Sequence, residues 1–286
     1  MDTSTFQHPT RRALAWTTAA IVAVLTTVTF AQTPFDSVRN VNVYGLTADQ
    51  QLVRFRAEPV HRYRRVGPIS GLRGSDTALI GIDFRVQDGA LYGVGNGGGI
   101  YTINTETAEV TMVQQLTIAL AGSSFGVDFN PAANALRIIS DMGQNLRQPF
   151  TGALTGVTQN DTMLNLNGVL AMGVTAAAYT NNDLDAGTAT TLFDIDSVRN
   201  QVVVQSPANS GALAPTGLLA VDPDSAIGFD IYTELQGGVA ITNTGYASLV
   251  VHGVTGFYRV NILTGKATLV GEFPDDVIDF AIQLEQ

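Results

Sequence analysis

Short apolar runs alternate along the chain with clusters of Gly, Asn, Asp and Thr, and one of these runs is stated twice. Ile80 to Val94 reads IGIDFRVQDGALYGV, and Phe125 to Ile139 reads FGVDFNPAANALRII. Each copy sets an Asp between apolar residues, then a turn, then a second apolar run. Apolar runs this short, bounded by turn formers, predict strands. No long stretch keeps an apolar period of about 3.6 residues, so helices are not expected.

The pattern continues as IGFDI, Ile227 to Ile231, and as VIDFA, Val277 to Ala281. Its Asp residues are Asp83, Asp128, Asp230 and Asp279, separated by 45, 102 and 49 residues. The doubled middle gap predicts another copy near residue 177, where GVTAAAYTNN, Gly173 to Asn182, has kept the small and apolar residues and lost the Asp. Other parts repeat in step. ALYGVG, ALRIIS, TLFDID and YASLVV follow as second strands, and IYTIN, NLRQPF, QVVVQS and FYRVN as third strands. A turn and a fourth strand complete each unit. Self-similarity at about 40–50 residues marks a propeller or a solenoid.

The chain ends complete the count. NVYGLTADQQLVRF, Asn42 to Phe55, matches strands two and three with no first strand before it, and VIDFAIQL at the C-terminus is a first strand with nothing after it. Pairing them closes a ring and hides the sheet edges of an open array. The expected fold is therefore an all-β, five-bladed β-propeller with four-stranded blades, closed by pairing of the N- and C-terminal strands. Stacked blades bury both faces of each inner strand, which accounts for the unbroken apolar runs. An Asp buried there needs hydrogen-bond partners.

Several of these segments, VYGLTADQQLVRF, GIDFRVQDGALYGVG, SFGVDFNPAANALRIISDMGQNLR, AAYTNN and TLFDIDS, resemble an exported bacterial family defined by a domain of unknown function, number 4394. The likeness runs from about Val43 to Leu284. It implies a propeller-like exported domain. It implies no activity and no catalytic residues.

The N-terminus changes the domain picture. Arg11 and Arg12 precede an apolar run from Ala13 to Val28, and Thr29-Phe30-Ala31 offers small residues before a cleavage point. Residues 1–31 read as a secretory signal peptide, 32–40 as a short linker, and 41–286 as one propeller domain. An uncleaved anchor is the alternative, but the run is short for a span. The paired Arg leaves the general secretory and twin-arginine routes both open. The expected location is periplasmic or extracellular.

Composition narrows the chemistry. The chain has no Cys, which excludes disulfides, thiol catalysis and Cys-based metal sites. Cleavage would leave 13 basic and 24 acidic residues, a balance that argues against nucleic acid. Beyond the leader only His61 and His252 remain, too few for an ordinary zinc site. Oxygen donors are plentiful, so calcium is the cofactor to consider. NNDLD (Asn181 to Asp185), the pair Asp194 and Asp196, and the pair Asp222 and Asp224 could supply it. None of these has the spacing of a known calcium loop, and Asx turns explain each.

Two catalytic patterns fail on context. GVGNGGG, Gly93 to Gly99, matches a dinucleotide loop, and GSSFG, Gly122 to Gly126, matches a nucleophile elbow. Both motifs need a helix to follow, and both are followed by strand patterns.

The repeated Asp residues carry more. Asp83, Asp128, Asp230 and Asp279 form an axial set that could hold a cation or act as acid and base on a sugar. Repetition favours a structural role, because a blade-to-blade contact is needed at every blade and a catalytic group only once. SDMGQNLR, Ser140 to Arg147, departs most from the blade template. Its Asp141, Gln144, Asn145 and Arg147, with Asp194 and Asp196 of the next blade, are the candidate ligand-binding residues.

Charge also sorts by face. Loop Asp residues collect on the side of the turns between strands two and three. Six of the 13 basic residues fall between Arg54 and Arg73, on the opposite side with Lys266. The sequence thus reads as a monomeric, non-enzymatic binding module for a small molecule, a glycan or an envelope protein. The alternative is a carbohydrate- or ester-directed hydrolase using the axial carboxylates, with calcium.

Overall fold

The computed structural model describes Met1, residues 41–58 and residues 60–284. The expected leader and linker lie, apart from Met1, outside the described residues. The chain divides into two compact units, Met1–Thr33 and Pro34–Gln286, and the described strands all belong to the second.

The first blade takes β1 (Asn42–Thr47), β2 (Gln51–Arg56) and β3 (His61–Pro68). The second is β4 (Leu79–Phe84), β5 (Leu91–Gly95), β6 (Gly99–Ile103) and β7 (Val110–Gln115). The third is β8 (Phe125–Asn130), β9 (Ala135–Ser140), β10 (Asn145–Pro149) and β11 (Gln159–Asn160). A small hairpin follows, β12 (Asn165–Leu166) and β13 (Val169–Leu170). The fourth blade is β14 (Val174–Tyr179), β15 (Leu192–Asp196), β16 (Gln201–Gln205) and β17 (Ala212–Leu218). The fifth is β18 (Ser225–Gln236), β19 (Val239–Val251), β20 (Val254–Val260) and β21 (Ala267–Glu272). Strand β22 (Val277–Ile282) returns to pair antiparallel with β1 and completes the first blade.

Five sheets, each built on four antiparallel strands and one widened to six by a hairpin, therefore make a five-bladed propeller closed by its own ends. The inner strands β22, β4, β8, β14 and β18 pack in that order around the axis, and β18 meets β22. Each of the five apolar clusters fills one blade–blade interface. Close approach near the axis requires glycine. A Cβ on Gly126 would lie 2.6 Å from the backbone nitrogen of Ala177 in the next blade, a contact no side chain tolerates.

Two blades depart from the template. The fourth gains the β12–β13 hairpin, whose β12 runs parallel to β17 and covers its outer edge. The fifth has a first hairpin twice the usual length. Gly237 and Gly238, at φ 62° and 82°, form the two-residue turn that such a tight reversal favours. Turns between first and second strands, and between third and fourth, lie on one side of the ring, here called the hairpin face. The interblade connections lie on the opposite, connection face.

Candidate functional site

Four carboxylates gird the axis, and each is bonded to backbone. The Oδ2 of Asp279 accepts from the Ile82 N–H at 2.7 Å. Asp83 accepts from Phe129 of the third blade at 2.7 Å and from its neighbour Phe84 at 2.7 Å. Asp128 accepts from Tyr179 at 3.0 Å. Asp230 accepts from Ile282 at 2.7 Å and from Ile231 at 2.6 Å. Each Asp thus straps its inner strand to the next blade. An inner strand needs a second acceptor here because its outward-facing N–H groups have no sheet neighbour at the axis. The fourth blade, with Ala176, Ala177 and Ala178 in β14, has no such strap. Asn182 replaces it, donating to the Ile231 carbonyl at 3.2 Å, and Asn181 exchanges hydrogen bonds with Asn243.

One oxygen each of Asp83, Asp128 and Asp230 lies within 4.8 Å of the others. All four carboxyls are buried, which pushes them well above the usual carboxylate range. The neighbouring carboxylates push Asp83 and Asp128 further. Burial raises Asp230 to about 6, against the pull of its two N–H donors. The girdle is chemically suited to share protons or to surround one hard cation, whose oxygen ligands stand at about 2.3–2.6 Å. It is poorly suited to acid–base work on a bulky substrate, since its oxygens are enclosed and already accepting hydrogen bonds.

The inner strands of the girdle run on to the hairpin face, where a pocket of about 430 Å³ opens at the mouth of the axis. Its apolar wall is Val86, Leu184, Leu235 and Leu284, and its polar groups include Gln87, Asn182 and Asp183. Asp183 is fixed by the N–H groups of Asp185 and Ala240. The Gln87 amide nitrogen donates to the Pro131 carbonyl, while its buried Oε1 has no partner. Loops of the second, fourth and fifth blades and the C-terminal segment meet here.

The six candidate residues of the connection face do not converge on one pocket. Asp141 accepts from the N–H and the hydroxyl of Ser123, and Gln144 bridges Ala119 and Ala121. Both brace the strand entering the third blade. Asn145 is fully buried and bonded to Arg137 and to the carbonyls of Thr162 and Ala208. Arg147 pairs with Asp161. Asp196 pairs with Arg199 and accepts from Gln201. Asp194 is fully buried with neither oxygen bonded, which drives its carboxyl up, against the pull of the Arg137 guanidinium. Of the calcium candidates, Asp222 accepts from Asn200, and Asp224 from the Gly253 N–H.

Sequence reasoning missed the centre of this region. Arg137, 2% exposed, sits between the third and fourth blades and donates to Asn145, Asp161 and Asn209. Its signal was a charge inside the apolar run ALRIIS. The pocket at the axis mouth also escaped, since its residues come from four separate loops.

These features define a class: a closed five-bladed propeller with an internal carboxylate girdle and an open mouth on its hairpin face. The family model described as "Domain of unknown function (DUF4394)" matches residues 51–281, and the chain belongs to that family. No curated protein matches the sequence. Among solved structures, a chain of the nidogen/laminin complex is similar at 12% identity and a TM-score of 0.49, over 86% of this chain and 99% of that one. An auxiliary nutrient binding protein from Bacteroides ovatus is similar at 12% identity and a TM-score of 0.39, over 78% of this chain and 57% of that one. The Malassezia sympodialis allergen Mala s 1 follows at 11% identity and a TM-score of 0.43, over 74% and 73%.

Proposed function

We propose that the protein is an exported, non-enzymatic binding module that takes a small amphipathic molecule at the hairpin-face mouth of its axis. The observation carrying this reading is the contrast between mouth and girdle. The mouth is open and apolar on one wall, with Asp88, Asn182 and Asp183 among its polar lining. The carboxylates beneath it are enclosed and strapped to backbone, so the groups a hydrolase would need are occupied. A ligand with an apolar body against Leu184 and Leu235, and a hydroxyl or amide group toward Asp88 and Asn182, suits the pocket. Export rests on the Arg11-Arg12 start, the apolar run to Val28 and the small residues before the bond after Ala31.

Ligand-observed NMR with a panel of hydroxylated amphiphiles tests this reading. Wild type should bind members that a Leu184→Asp, Leu235→Asp double variant does not. Equal binding by both proteins would refute the site. Turnover of a glycoside or ester, abolished by Asp83→Asn, would establish the hydrolase instead.

A further inference from the structure

Seven of the eleven described arginines stand within 4.0 Å of a carboxylate. The other four are Arg56, Arg62, Arg64 and Arg73. Three of them share one pocket of about 160 Å³, lined by Asn42, Arg54, Phe55, Arg56, Arg62 and Arg64 on the first blade. A chain with 25 acidic residues and a net charge of −10 thus gathers three arginines without an ion pair in one place.

The backbone places them there. Arg54 stands directly opposite Arg64 across β2 and β3, and Asn42 opposite Arg56 across β1 and β2. Opposed side chains on one face of a sheet are about 5 Å apart at Cβ, where like charges destabilise the pair. Among the described residues the acid ion-paired with one of these arginines is Glu106, 3.5 Å from Arg54 and 68% exposed, which makes it a weak counterion for four guanidinium groups. The pairing of β2 with β3 slips between Arg54 and Arg56, and Arg62 is held at φ 54°. That left-handed conformation is strained for a non-glycine residue. A bulge re-aims the side chain it carries, and strained residues concentrate at ligand sites.

We propose that this pocket is an oxyanion site that holds the phosphate or sulfate group of a small molecule. Guanidinium forks match a tetrahedral oxyanion through paired N–H donors, and several forks around one anion convert their mutual repulsion into attraction. The volume takes one such group with bound water. No residue is shared with the axis-mouth pocket, so the two sites stand or fall separately.

The test is thermal melting of the wild type and an Arg62→Gln, Arg64→Gln double variant in sodium chloride, sulfate and phosphate at matched ionic strength. Sulfate stabilises most proteins by exclusion, so the difference between the two proteins is the readout. Relative to the variant, the wild type should gain about 2–5 °C in sulfate or phosphate over chloride. The variant should melt in chloride at or above the wild type, because the opposed pair Arg54–Arg64 is gone. The Leu184→Asp, Leu235→Asp variant should keep the full response. Equal gains in wild type and the arginine variant would overturn the proposal. So would arginine-dependent binding to phosphatidylglycerol vesicles with no response to free sulfate or phosphate, which would assign the patch to a membrane surface.

Discussion

Replacing Asp83 with Ala removes a strap between the second and third blades and leaves two buried donors, the N–H groups of Phe129 and Phe84, without acceptors. An orphaned buried donor costs about 1–3 kcal/mol, so the gross loss is about 2–6 kcal/mol. One effect opposes it: an ionised Asp83 is repelled by Asp230 and Asp279 and is poorly solvated. The balance depends on pH. The folded carboxyl is raised above its unfolded value, so its stabilising contribution is fully present below about pH 4 and is lost as pH rises through the folded value. At pH 5, closer to the unfolded value, less of that repulsion is released than at pH 8, and the net loss should be about 2–5 kcal/mol. At about 2–4 °C per kcal/mol for a domain of this size, the melting point should fall by roughly 5–15 °C. Circular dichroism melts of wild type and Asp83→Ala at pH 5 and pH 8 measure this, with the smaller difference expected at pH 8. A melting point unchanged at pH 5, or a difference that widens toward pH 8, would refute the strap.

Asp230, raised to about 6, should make the wild type lose about 2 kcal/mol between pH 4 and pH 6, as the unfolded carboxyl ionises ahead of the folded one. Urea titrations across that window should show a flatter profile for Asp230→Asn. Asp194 has no partner and stands opposite Ala177 and Val203. Asp194→Val should therefore stabilise the protein by about 1–3 kcal/mol, and more at pH 8 than at pH 5, because the folded Asp194 carboxyl is also raised. A loss of stability on this substitution would mean that Asp194 has a partner of its own. Deleting residues 277–286 removes β22 and the buried Val277, Phe280 and Ile282, at about 1.5–3 kcal/mol each, and reopens the ring. A truncated chain that still melts cooperatively near the wild-type temperature would contradict closure by the termini.

The repeat of an apolar run around a central Asp, spaced 45 and 49 residues at the two ends, was enough to number the blades and to predict that β22 pairs with β1. Such features are local. A strand that must bury both faces reads as an unbroken apolar run, and a unit used five times leaves its period in the chain. The missing Asp near residue 177 was equally legible. Its replacement was not, because Asn182 reaches Ile231 from a loop whose course depends on the long β18–β19 hairpin. The candidate residues depart from the blade template, and polar residues depart for more than one reason. Asn145 and Arg147 serve the buried Arg137–Asp161 contact, and nothing in SDMGQNLR reports that the guanidinium opposite Arg147 on the neighbouring strand is buried. The mouth of the axis and the arginine pocket were decided by tertiary structure alone. One gathers single residues from four distant loops, and the other depends on a strand register and a bulge that bring Arg54 opposite Arg64. Periodicity along a chain records which face of a strand is buried. It does not record which residues of different blades, brought to one end of the axis or one rim by closure of the ring, will face the same space.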